Sequence, residues 1–200
     1  VIGADEKAHC VVGCYMMNVK GRTIFLADAT VNVYPDSRTL AEIAVQTAKV
    51  ARRFGVAPKV AMLSFSNFGS SRAQRSERIE DAIEFARELD PSLVIDGPMQ
   101  ADTALNGAVQ SEYPFMDFKG PANVLVLPNL AAANIAYKLL EELGDAEMTG
   151  PILEGMDKPV QLVARQDGVR HIVNMAAICA ADAIRQDSYW ETLVTPSSES

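Results

Sequence analysis

The chain reads as an α/β protein: three layers, α/β/α, around a mostly parallel sheet that also holds an antiparallel hairpin. Three observations predict this. Apolar strand-like runs alternate with helical patterns in the order β, α, β, α, β, α. Residues 60–65 form a continuous apolar run, the pattern of a strand buried on both faces. Residues 10–20 and 23–27 are also apolar, and Lys20-Gly21-Arg22 between them reads as a hairpin turn.

The elements follow in order. After the hairpin, residues 28–36 read as a loop, and Asp36 or Ser37 caps a helix over about 39–54. Leu40, Ile43, Ala44, Thr47 and Val50 share one face at helical spacing, and Gly55 then Pro58 stop the helix. The buried strand 60–65 leads into a small, polar segment, Ser66-Asn67-Phe68-Gly69-Ser70-Ser71. A helix with Ile79, Ile83 and Ala86 inward runs from there to about Leu89. A short strand at 93–96 closes on Gly97-Pro98, and 101–105 reads as helix. Residues 124–127 are a second buried strand, and 130–143 a helix ended by Gly144. Gly150-Pro151 reads as a turn before Ile152-Leu153, residues 160–163 as a short strand, and Val169 as the start of a helix reaching about Gln186. The polar residues 195–200 read as a disordered end.

Composition sets bounds. With 200 residues, 48% of them hydrophobic, the chain builds one sizeable core. No run approaches the ~18 apolar residues of a membrane span. The first residues show no basic-then-apolar leader, and with no initiating methionine Val1 reads as a cut in a longer chain. A net charge of −8 argues against nonspecific binding to nucleic acid or to an anionic membrane. Cys10, Cys14 and Cys179 are odd in number and lack paired spacing, and His9 and His171 are the only histidines. That set argues against zinc and for reduced thiols in a cytoplasmic protein.

Two loops draw functional attention. In α/β sheets, ligands sit at the carboxyl ends of strands. The segment 66–71, between a strand and a helix, has the make-up of an anion nest, with Arg72 and Arg75 just beyond it. Its glycine spacing is not that of the lysine-bearing P-loop. The loop Ala164-Arg165-Gln166-Asp167-Gly168 sets a guanidinium beside a helix start. The plainer reading of both is an ordinary strand-to-helix connection with surface arginines. Tyr113, Phe115 and Phe118 form an aromatic group suited to core or interface.

Several segments in succession resemble the phosphate acetyltransferase and butyryltransferase family. They are Val60-Ala61-Met62-Leu63-Ser64-Phe65-Ser66 with Gly69-Ser70, Asp96-Gly97-Pro98-Met99-Gln100-Ala101-Asp102, and Ala122-Asn123-Val124-Leu125-Val126-Leu127-Pro128. Asn134-Ile135-Ala136-Tyr137-Lys138 and Gly150-Pro151-Ile152-Leu153 through Lys158-Pro159-Val160 continue the match. Arg52-Arg53-Phe54-Gly55, Gln74-Arg75-Ser76-Glu77-Arg78 and Val173-Asn174-Met175-Ala176-Ala177 are similar to one branch, the C-terminal phosphotransacetylase-like domain of hybrid NADP-dependent malic enzymes.

The resemblance implies an isocitrate/isopropylmalate dehydrogenase-like fold. Residues 1–190 would be mainly the domain's second subdomain with a returning C-terminal helix, the first subdomain absent, and 191–200 a polar tail. It also implies a cleft for an acyl-CoA, with Arg165, Lys158, Ser64, Ser66, Asn67, Gly69, Ser70, Arg72 and Arg75 as candidate ligand-binding residues. Active members carry Ser-Arg-Gly in the loop before the last helix and an aspartate just before its Ile-Val. Here Arg165 matches, but Ala164 stands for the serine, Gln166 for the glycine and His171 for the aspartate.

In the family the aspartate is thought to act as base on the thiol of coenzyme A, and the serine to stabilise the transition state. Losing such a base costs roughly 10²–10⁴ in rate, and losing an oxyanion donor about 10²–10³. The expectation is therefore a noncatalytic acetyl-CoA-sensing and oligomerisation domain, at least a dimer, of a malic enzyme. No catalytic residue, metal or cofactor is assigned to this chain. NADP and a divalent metal (Mg or Mn) would belong to a core outside it. Two alternatives stand: an active phosphate acetyltransferase, and a purely structural oligomerisation domain. Tyr113, Phe115 and Phe118 are the expected anchors of a two-fold contact.

Overall fold

The computed structural model describes residues 2–70 and 74–194; of these, the side chains of 74–76 and 187–194 are not described. The elements are β1 (Val12–Val19), β2 (Arg22–Ala27), α1 (Ser37–Arg53), β3 (Lys59–Leu63), α2 (Gln74–Leu89), β4 (Val94–Met99), α3 (Ala101–Leu105), α4 (Gly107–Gln110), β5 (Val124–Val126), α5 (Leu130–Gly144), β6 (Glu147–Glu154) and α6 (Val169–Val194). One six-stranded sheet has the order β4-β3-β5-β2-β1-β6. The β2/β5, β5/β3 and β3/β4 pairs are parallel, while β1 runs antiparallel to both β2 and β6. This is the mostly parallel sheet with an antiparallel hairpin that the sequence predicts. Lys20 and Gly21, at φ 50° and 73°, make the hairpin's two-residue turn, whose geometry asks for positive φ at both positions.

The period-two alternation of each strand sorts side chains onto two faces. Phe25, Ala27, Val60, Met62, Val124 and Val126 face one core with Leu40, Ile43 and Ala44 of α1 and Ile79 and Ile83 of α2. Leu26, Ala61, Leu63 and Leu125 face the other, with Ala104 of α3 and Ala133 and Tyr137 of α5. The sheet is thus the middle layer of three. Asp36 caps α1, its carboxylate accepting the Thr39 N–H at 2.8 Å. That bond is the main reason its pKa is held below the ordinary carboxylate value.

Five expectations need correction. Gly150-Pro151 is not a turn: it lies inside β6, and Gly97-Pro98 likewise lies inside β4 rather than closing it. Both strands are sheet edges, and both pairs sit beside a register shift, where a proline's missing N–H costs no ladder bond. Residues 160–163 form no strand. Gln161 makes one isolated bridge to Ile152, Pro159 removes a donor, and Leu162 and Val163 are exposed. Cys10 lies before β1, which starts at Val12, so the first strand of the hairpin is shorter than the apolar run 10–20. Finally, Phe118 belongs to the monomer core and is no interface anchor: it is 4% exposed and packs with the second core face. Phe115 is 64% exposed and Tyr113 half-buried.

Candidate functional site

The loop after β3 is built by its own side chains. Asn67 Oδ1 accepts the Gln100 N–H at 2.7 Å, and Asn67 Nδ2 donates to Gln100 Oε1 and to the Tyr113 hydroxyl. Gln100 Nε2 donates back to the Phe65 carbonyl. These bonds tie the loop to the end of β4. The Ser64, Phe68 and Ser70 N–H groups donate to the Met99, Pro98 and Asn67 carbonyls, so they do not face a ligand. Phe68 sits at φ 44°, in the left-handed region that few bulky residues adopt, and packs on Tyr113 and Phe115. Ser66 Oγ is buried without a hydrogen-bond partner among the described residues, while Gly69 and Ser70 are exposed. Arg72 lies outside the described residues. Arg75 is in the first turn of α2, and its side chain also lies outside them.

The loop before α6 is a closed turn. Asp167 Oδ2 accepts the Ala164 N–H at 2.6 Å, and the Asp167 N–H returns to the Ala164 carbonyl. The same Oδ2 lies 3.5 Å from His171 Nε2, one helical turn on. Ala164, Gln166, Asp167 and His171 line a cavity of about 670 Å³, whose far wall includes Tyr15, Tyr137 and Lys138. The two tyrosine rings stack at 4.5 Å, and Lys138 Nζ lies 4.8 Å from the Tyr137 centroid. Burial, with the neighbouring Tyr137, pushes the Tyr15 hydroxyl above its usual pKa, so it stays protonated at neutral pH.

Arg165 does not line this cavity. It is exposed on the turn, without an ion pair or hydrogen bond among the described residues. Lys158 lies elsewhere again, in a cavity with Lys49, Arg53 and Asp182. The structure therefore brings Ala164 and His171 together and sets Lys158 apart from them. The 64–70 loop lines neither cavity.

Sequence reasoning missed Tyr15, Asp167 and Lys138 as cavity residues. Tyr137 and Lys138 lay inside a quoted motif, and the four-residue spacing of Asp167 and His171 was the available signal for that pair. Cys14 is buried and Cys10 half-buried, and burial is the first cause pushing both thiols up to about 12. Among the described residues no group of three or more His, Cys, Asp or Glu is placed to hold a metal, and no helix is long and apolar enough to cross a membrane.

A three-layer α/β/α domain with a cavity walled partly by tyrosines is a common frame for binding a small ligand. The family is more specific. A profile described as phosphate acetyl/butaryl transferase matches residues 1–180, and the chain belongs to that family. It is 42% identical over 178 residues to an NADP-dependent malic enzyme of Rhizobium meliloti, covering 89% of this chain and 23% of that protein. It is 39% identical over 185 residues to a phosphate acetyltransferase of Bacillus subtilis, covering 92% of this chain and 57% of that one. Among solved structures, a phosphotransacetylase from Streptococcus pyogenes superposes with a TM-score of 0.87 at 37% identity, over 92% of this chain and 57% of its own. The chain thus spans little more than half of these two transferases and about a quarter of the malic enzyme.

Proposed function

We propose that this chain is an acyl-CoA-binding domain that has kept the family's ligand recognition without its group transfer. On this reading it works as the acetyl-CoA-responsive, self-associating part of a malic enzyme. That parent would oxidatively decarboxylate malate to pyruvate, with NADP and its metal held in a core outside this chain. One observation carries the reading. In the turn that supplies the family's serine and aspartate, the cavity is lined by the methyl of Ala164 and the ring of His171. The nearby carboxylate, Asp167, is engaged by the Ala164 N–H. A methyl cannot donate a hydrogen bond to an oxyanion, and a carboxylate holding its own turn together is a poor base for an incoming thiol. Binding needs neither group. Arg165, exposed and unpaired among the described residues, is available to grip a phosphate with two parallel hydrogen bonds.

An active phosphate acetyltransferase is the second reading, and the comparisons lean toward it. The chain covers 57% of the Bacillus subtilis transferase against 23% of the Rhizobium meliloti malic enzyme. The 3.5 Å approach of Asp167 to His171 also offers an oriented imidazole at the position of the family's base.

Isothermal titration of acetyl-CoA tests the recognition that both readings share. Arg165→Ala is expected to weaken binding by roughly 1.5–3 kcal/mol, about ten- to a hundred-fold in affinity. Unchanged binding would make Arg165 an ordinary surface residue.

A further inference from the structure

We infer that the cavity between the end of α1, the segment after β6 and the middle of α6 is a second site, for a multiply charged phosphoryl anion. It goes beyond the proposed acyl-CoA site, since its walls do not include Ala164, Arg165 or His171. Its volume, about 540 Å³, lies within the usual range of ligand pockets, about 300–1,000 Å³. Lys49, Arg53, Lys158 and Arg185 line it, against two carboxylates, Glu154 and Asp182. A local excess of positive charge is unexpected in a chain of net charge −8 and marks where an anion would be drawn.

The charges divide into a fixed set and a free set. Arg53 pairs with Glu154 and, at 3.2 Å, with Asp182 Oδ1, which also accepts from Arg185 at 2.9 Å. The carboxylates thus hold the guanidinium groups in place across three elements of the fold. Burial lowers the pKa of Arg53, the mark of a cation held away from water, and its Nε is buried without a partner. Lys49, one turn before Arg53 on α1, and Lys158 have no ion pair or hydrogen bond among the described residues. Two flexible ammonium groups beside a fixed guanidinium suit a diphosphate, whose charge is spread over several oxygens. The carboxylates limit how much of the guanidinium charge an anion meets, so the lysines supply most of the discrimination.

The probe is pyrophosphate, titrated at constant ionic strength into the full chain carrying Arg165→Gln, so that the proposed acyl-CoA loop does not report. Binding should weaken at least about ten-fold when Lys49→Gln and Lys158→Gln are added together, the loss expected for two charge-assisted bonds. Both lysines are exposed, so melting temperatures should match and exclude misfolding. Coenzyme A titrated into the lysine double variant with Arg165 intact identifies the source. If its affinity falls, the site receives the coenzyme's own diphosphate. If its affinity holds, the site serves a separate phosphoryl ligand. The inference is overturned if pyrophosphate does not bind the Arg165→Gln protein, or binds it equally well without the two lysines.

Discussion

Asp28→Ala should destabilise the fold more than a loop residue ordinarily does. Asp28 follows β2 and is 4% exposed. Its Oδ1 accepts the N–H groups of Gly13 at 3.3 Å, Thr30 at 2.9 Å and Val31 at 3.1 Å. Its Oδ2 accepts the Asn32 N–H at 3.0 Å and Asn32 Nδ2 at 2.6 Å. One carboxylate therefore shapes the start of the connection to α1 and fixes it to β1. Removing it leaves the Gly13 N–H buried and unpaired, at about 1–3 kcal/mol, and gives three half-wet N–H groups to water at about 0.5 kcal/mol each. The expected loss is about 3–4 kcal/mol, or a Tm lower by roughly 6–15 °C for a domain of this size. Urea unfolding followed by circular dichroism measures it, with the slope m unchanged. A loss below about 1 kcal/mol would refute the reasoning, because even one buried orphan N–H should cost that much.

Gly97→Ala should cost about 1–3 kcal/mol or more, because φ is +145° there and a Cβ would lie 2.6 Å from the Met62 carbonyl oxygen; equilibrium unfolding reads it. Asp36→Ala should cost about 0.5–2 kcal/mol through loss of the α1 cap. Because the folded pKa of Asp36 is lowered, its contribution is full above the unfolded carboxylate value and lost as pH falls through the folded one. The variant's deficit should therefore shrink on acidification below about pH 4, in unfolding curves collected across pH. In the native protein Cys14 should resist a thiol reagent at pH 8, and Cys10 should react slowly, since burial pushes both thiols up to about 12; mass spectrometry of the labelled protein reads this site by site.

How much of this was legible in the sequence depends on whether the signal was local. Helical spacing placed Leu40, Ile43 and Val50 correctly, and the apolar runs at 60–65 and 124–127 marked β3 and β5, because burial on both faces leaves its imprint in a few adjacent residues. The Gly-Pro pairs misled for the opposite reason. Whether Gly150-Pro151 breaks a strand or sits in one depends on which neighbour the strand pairs with, and that neighbour, β1, is more than 130 residues away in sequence. The apolar look of residues 160–163 was real, but the run makes only one bridge to the free edge of β6, and Leu162 and Val163 stay exposed. At the candidate site, motif order identified the Ala164–His171 turn. It did not reveal that Lys158 faces a different cavity, since six residues of chain can turn a side chain to either side of α6. Asp28 passed as loop because its buried partner, the Gly13 N–H, belongs to β1 and meets it only through the fold.

The most direct test of the central claim is a transferase assay: consumption of the coenzyme A thiol with acetyl phosphate, run beside a titration of acetyl-CoA into the same protein. The account predicts that acetyl-CoA binds and that turnover stays below ~1 s⁻¹, the low end for ordinary enzymes. Turnover at or above that rate would contradict it and favour the active phosphate acetyltransferase.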